Sequence, residues 1–234
     1  MQDKRERIQI EAFNKWEENY KKGTVEIATG IGKTFIGLRA LHSMPKDDKI
    51  HLFLAEVTDR KKDLIDNIKK YDSIYGTNTI EDYNLQFHCY QTVRNWRNVK
   101  NIGLVIADEI HESFTPENSK FYQYNDFDAI IGLSAKIDIS ISYVEERGIL
   151  EYTITKETYL NRHAPLIYTY TMQKAREEGL NRKVNVHLIY HKLDDTIKNI
   201  KAGSKKKSFL QTEKKAYDFW EDRLKGIIKF LFLN

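Results

Sequence analysis

Residues 25–38, VEIATGIGKTFIGL, hold two glycines, a lysine and a threonine in the order that binding a phosphate chain requires. Phosphate oxygens need backbone N–H groups turned inward and no Cβ where they come close, and Gly30 and Gly32 meet both needs. Lys33 offers a cation to the outer phosphates, and Thr34 offers a hydroxyl to Mg²⁺. Farther along, IGLVIADEIHES places Asp108 and Glu109 at the end of an apolar run. An aspartate there can hold Mg²⁺ through water, and the adjacent glutamate can orient or deprotonate an attacking water. The two groups together suit phosphoryl transfer from a nucleoside triphosphate. No rival chemistry is legible. The histidines do not pair with the lone Cys89 or with acids at metal-ligand spacing, and no nuclease constellation stands out.

These residues need a scaffold that brings distant segments to one edge. Apolar runs predict strands at 24–28, 50–55, 85–90, 102–107 and 129–134. They are rich in Ile, Val and Leu and nearly continuous, as strands covered on both faces of a parallel sheet are. Helical patterns precede and separate them at 5–20, 34–43, 59–71 and 91–98. The alternation predicts an α/β domain with a doubly wound, mainly parallel sheet over residues 1–145. After that the rhythm changes. Residues 146–234 read as a linker and the start of an incomplete second domain, a partial or helical extension. Strands are expected in LEYTITK and VNVHLIYHKL, and a short helix in YTMQKAREEGL, ended by Gly179. An amphipathic helix is expected over 213–232.

Of 234 residues, 41% are hydrophobic and 31% charged, enough for a packed core and a soluble surface. No apolar run approaches the roughly 20 residues that cross a bilayer, and the charged N-terminus lacks a signal-peptide core. With one cysteine, these features fit a cytoplasmic chain without a membrane partner. The net charge is +4, and its basic excess lies after residue 150, where Lys205, Lys206, Lys207, Lys214 and Lys215 could face a phosphate backbone or simply coat a solvated surface.

On these motifs the chain resembles the first RecA-like domain of superfamily-two helicases and translocases with a DEAH-type box. Within that group it is most similar to the branch holding the motor subunits of restriction enzymes. The family's phosphate loop reads x-A-T-G-x-G-K-T and tolerates a large first residue, here Ile27, so Ala28, Thr29, Gly30, Ile31, Gly32, Lys33 and Thr34 all fall on the nucleotide. RIQIEAFNKW resembles the upstream glutamine motif, with Gln9 reading adenine. DEIH is the second motif, with His111 toward the inter-domain cleft. IGLSAK resembles the third, which couples hydrolysis to movement through Ser134 and its neighbours. LFLAEVTDRKKDL and CYQTVRNW sit where the family contacts nucleic acid, with Arg60 and Thr92 in the contact positions. The resemblance implies ATP and Mg²⁺ as ligands, ATP hydrolysis as the reaction and nucleic acid as the track, DNA ahead of RNA.

Two departures matter. The third motif is normally Ser-Ala-Thr, whereas here Lys136 follows Ser134 and Ala135. A lysine cannot accept a hydrogen bond. It could pair with Asp108 or Glu109 and blunt the base, or turn to solvent and leave the contact to Ser134. The family's late motif, Q-x-x-G-R-x-x-R, is not found in the sequence. The expectation is therefore a motor domain weak or inactive alone, whose arginine finger comes from a further C-terminal domain or a partner chain. Two other readings stay open: half of a split helicase, or a non-motor regulatory module that binds nucleotide.

Overall fold

Helix α1 (Gln2–Glu18) precedes the first strand and packs beside it. Ile8, Ala12 and Trp16, spaced by four, form its buried stripe, and the Trp16 indole N–H donates to the Ile130 carbonyl at 2.8 Å. β1 (Lys22–Ile27) follows, then α2 (Lys33–His42), β2 (Ile50–Ala55), α3 (Arg60–Tyr75) and the short α4 (Thr79–Asp82). Next come β3 (Asn84–Cys89), the four-residue α5 (Tyr90–Val93), β4 (Ile102–Asp108), α6 (Lys120–Tyr124) and β5 (Phe127–Ser134). A hairpin of β6 (Ser142–Arg147) and β7 (Leu150–Thr155) leads to α7 (Lys156–His163), β8 (Leu166–Tyr170) and α8 (Met172–Glu177). The computed structural model describes residues 2–137, 142–147 and 150–180.

Six strands form one sheet in the order β3-β2-β4-β5-β1-β8, every pairing parallel. The central strands are the continuous apolar runs of the sequence. Residues 102–107 of β4 and 129–134 of β5 are wholly buried, because helices cover both faces. The α/β class and parallel sheet follow the expectation from sequence. Helix α2 comes so close to β4 that a Cβ on Gly37 would lie 2.8 Å from Ile106 Cγ2. That approach sets the distance between the phosphate loop and the end of β4. Among the described residues no helix is long and apolar enough to cross a membrane.

Two elements differ from their expected form. The helix foreseen at 91–98 stops at Val93. The chain turns instead through Asn98, at φ 54°, whose N–H donates to the Tyr124 carbonyl at 3.0 Å. The sheet also takes in residues beyond 145. β8 pairs with β1 from Thr24↔Leu166 to Ile27↔Tyr170, with a register shift after Thr24. Its five residues run exposed, half-buried, half-buried, exposed and buried, as in an edge strand covered incompletely. α7 and α8 are each opened by a threonine, Thr155 and Thr171, whose side chain accepts an N–H three residues on. The strand expected in VNVHLIYHKL, the helix at 213–232 and the lysines from Lys205 to Lys215 lie outside the described residues.

Candidate active site

Parallel strands share a carboxyl edge, where ligands bind in open α/β sheets. The loops after β1, β2, β3, β4 and β5 all leave from that edge. They carry respectively the phosphate loop, Arg60, Thr92, the Asp108–Glu109 pair and Ser134–Lys136.

The loop after β1 makes its turn on glycine. Gly30 has φ 83° and Gly32 φ 103°, conformations that side chains resist. Ala28 is tied back by its N–H to the Tyr170 carbonyl at 3.0 Å. Thr29 and Gly30 are exposed, while Ile31 is buried beneath them. Gly32 caps α2, with no side chain satisfying the first N–H groups of the helix. Gln9 packs directly on this turn. Its Nε2 donates to the Ile31 carbonyl at 2.7 Å, and a Cβ on Gly32 would come within 2.6 Å of it.

Lys33 crosses from this loop to the end of β4 and forms a short ion pair with Glu109 Oε1. The carboxylate is aimed there by the backbone, since Glu109 sits in the left-handed region at φ 48°, ψ 52°. Its other oxygen lies 3.3 Å from Ser134 Oγ and 3.4 Å from the Ala135 N–H. Ser134 Oγ also donates to the Lys136 carbonyl at 2.9 Å and lies 2.9 Å from His111 Nδ1. The far nitrogen of His111 is 3.0 Å from Glu112. Glu109 thus sits among Lys33, Ser134, Ala135 and His111.

The two neighbouring carboxyls titrate in opposite directions. Burial pushes Asp108 up, and the Lys33 charge only partly offsets it. Burial pushes Glu109 up as well, but the Lys33 hydrogen bond and charge, with the Ala135 N–H, outweigh it and hold Glu109 low. Thr34 and Asp108 line one cavity of about 220 Å³, together with Arg60. Buried Tyr90 anchors the end of β4 by donating to the Asp108 carbonyl at 2.9 Å. Thr92 is exposed on α5, on the same edge but outside this cluster.

The cradle fits a nucleoside triphosphate. Two glycines open the turn, a cation waits beside it, and a hydroxyl and a carboxylate line one cavity. Among the described residues no cluster of three or more His, Cys, Asp or Glu could hold a metal.

A family model described as the type III restriction enzyme res subunit matches residues 3–139. The chain belongs to this family. The described sheet is a RecA-like domain of this helicase-like ATPase motor-domain family. The helicase domain of Hef from Pyrococcus furiosus is 15% identical, over 72% of this chain and 39% of that one, with a TM-score of 0.48. The type ISP restriction-modification enzyme LlaBIII, solved bound to DNA, is 14% identical over 74% of this chain and 15% of its own, with a TM-score of 0.47. LlaGI, another type ISP enzyme, is 14% identical over 75% of this chain and 20% of its own, with a TM-score of 0.48. The chain therefore spans well under half the length of each. No curated protein matches the sequence.

Sequence reading reached the cleft on the other side of the phosphate loop only through Gln9. About 320 Å³ in volume, it lies between α1, α2 and α3 and is lined by Glu6, Phe35, Lys70 and Tyr75 beside Gln9 and the loop. One signal was available: Glu6 lies three residues before Gln9 and so shares its helix face.

Proposed function

We propose that the chain is the ATP-binding RecA-like domain of a nucleic-acid translocase or helicase, and that Lys33, Thr34, Asp108 and Glu109 are its phosphoryl-transfer site. The observation that carries this reading is the Lys33–Glu109 ion pair, which joins the phosphate loop to the second motif across the sheet edge. Backbone N–H groups from Thr29 to Thr34 and the Lys33 ammonium bind the phosphates. Mg²⁺, when held by Thr34 and Asp108, neutralises phosphate charge.

The same pair suggests how the site stays idle without nucleotide. A carboxylate held low by Lys33 orients water but takes its proton poorly. A phosphate that draws Lys33 away removes this hold, and Glu109 becomes a better base only when substrate is present. Ser134, placed between Glu109 and His111, is the contact through which the third motif follows that change. Ser134 keeping its contacts with Glu109 and His111 favours a motor over a regulatory module.

Arg60 and Thr92 are assigned to the nucleic-acid track, with DNA the first choice. Full turnover is assigned to assembly with a second RecA-like domain. An arginine finger of that kind contributes about 10³–10⁵ in rate in related phosphoryl-transfer enzymes. The test is phosphate release from ATP–Mg²⁺ with and without single-stranded DNA, alongside anisotropy of labelled DNA. The reading expects ATP-dependent changes in DNA affinity, with slow release by the chain alone. No ATP binding, together with DNA affinity blind to nucleotide, would overturn it.

A further inference from the structure

Glu109 holds a left-handed backbone, at φ 48° and ψ 52°, where its carboxylate meets Lys33. In a glutamate such a conformation persists only where neighbouring groups fix it. The peptide plane entering Glu109 carries the Asp108 carbonyl. The plane leaving it carries the Glu109 carbonyl, which accepts the Glu112 N–H at 2.9 Å and so closes a single turn over Ile110–Glu112. Holding the residue therefore means holding the chain at Asp108 and again within that turn.

Three buried hydroxyls do both. Tyr90, the first residue of α5, donates to the Asp108 carbonyl at 2.9 Å. Tyr122 on α6 donates to Ser113 Oγ at 2.9 Å, and Ser113 Oγ donates to the Ile110 carbonyl at 2.6 Å. The Tyr90 and Tyr122 hydroxyls also meet. Burial pushes both phenols up, so each keeps the proton it donates. Ile110 is wedged against β5, since a Cβ on Gly132 would lie 2.6 Å from its Cδ1. Tyr90, Tyr122 and Ser113 line neither cavity beside the phosphate loop, so they act on a nucleotide only through what they hold.

Resting on the reading of Glu109 as the group that orients water, and deepening it, we propose that Tyr90, Tyr122 and Ser113 are its positioning residues. They clamp the chain on both sides of Glu109 and keep it left-handed, so that its carboxylate stays in line with the reacting phosphate. Without the clamp the turn relaxes to an ordinary conformation, and the carboxylate swings out of line.

The experiment reads the strain itself. Urea midpoints of Glu109→Gly and Glu109→Ala are compared in the otherwise wild-type chain, in Tyr90→Phe, and in Tyr90→Phe combined with Ser113→Ala. Where the turn is held left-handed, glycine is the more stable of the two, because only alanine is strained. Where the clamp is gone, that gap in midpoint should shrink by about half or more. Hydroxyls that merely pack would lower both midpoints equally and leave the gap unchanged, which overturns the proposal. No gap in the otherwise wild-type chain overturns it too, since there is then no strain to hold. With Glu109 intact, phosphate release at saturating ATP–Mg²⁺ should fall about tenfold or more in the combined variant, while ATP affinity by calorimetry stays unchanged. Unchanged release, or an equal fall in affinity, overturns the positioning role. If wild type neither binds nor hydrolyses ATP, the reading of the site fails, and the midpoint gap still decides whether the hydroxyls hold the turn.

Discussion

The loops after β1 and β4 face each other across the sheet edge and solve one problem differently. Each leaves a buried strand and must reverse within a few residues, and each uses a left-handed backbone to do so. After β1 the residues at positive φ are Gly30 and Gly32. After β4 the residue is Glu109. Glycine takes that conformation freely and removes the Cβ that would block an approaching phosphate. A glutamate takes it at a cost of about 1–3 kcal/mol and persists only where its surroundings hold it. The first loop is shaped for something to come close. The second is strained so that a carboxylate points back at Lys33.

This contrast can be broken at both loops. The largest effect belongs to the strained one. Glu109→Gln keeps the shape but loses the charge, and any ATP turnover, measured as phosphate release, should fall by about 10²–10⁴-fold. Turnover at the wild-type rate would remove Glu109 from the reaction. Next comes Gly32→Ala, which sets a Cβ against Gln9 at φ 103°. It should destabilise the domain by about 1–3 kcal/mol, read as a lower urea midpoint.

A smaller effect reverses the usual order of residues. At Glu109 the glycine variant should be more stable than the alanine variant by about 1 kcal/mol, because only alanine keeps the strain. An alanine variant of equal or greater stability would show that φ 48° costs nothing there. The smallest effect is with pH. Lys33 holds the folded Glu109 below its unfolded value. The stabilisation is therefore complete above about pH 4.3 and is lost as pH falls toward the lower folded value. Wild type should lose more stability than Lys33→Ala over that acid window, in urea melts taken at several pH values. The site is partly exposed, so the difference is modest.

The sequence showed the glycine loop more fully than the glutamate loop, for a physical reason. Gly30, Gly32, Lys33 and Thr34 declare their backbone and chemistry by residue type. The apolar run before Asp108 marked a buried strand, so the place of the acids was legible too. Nothing in DEIH reveals that Glu109 lies at positive φ, or that its partner is Lys33. Lys136 could have paired with the acids or turned outward on sequence alone. Ser134 holding both His111 and the Glu109 side of the site is a matter of packing. β8 escaped notice because an edge strand, half covered, lacks the apolar continuity of β4 and β5. The Tyr90, Tyr122 and Ser113 hydroxyls come from separate segments and have no local pattern to find.

The central claim is that Lys33 belongs to phosphate when nucleotide is present and to Glu109 when it is not. Calorimetric titration of ATP–Mg²⁺ into Lys33→Ala and Glu109→Gln tests this most directly, because the two variants break the same ion pair from opposite ends. The account predicts that Lys33→Ala loses affinity by about tenfold to a hundredfold, the worth of a charge-assisted bond. It predicts that Glu109→Gln binds as tightly as wild type or more tightly, since its lysine no longer has to leave a carboxylate. Equal loss in both variants, or no loss in Lys33→Ala, would contradict it.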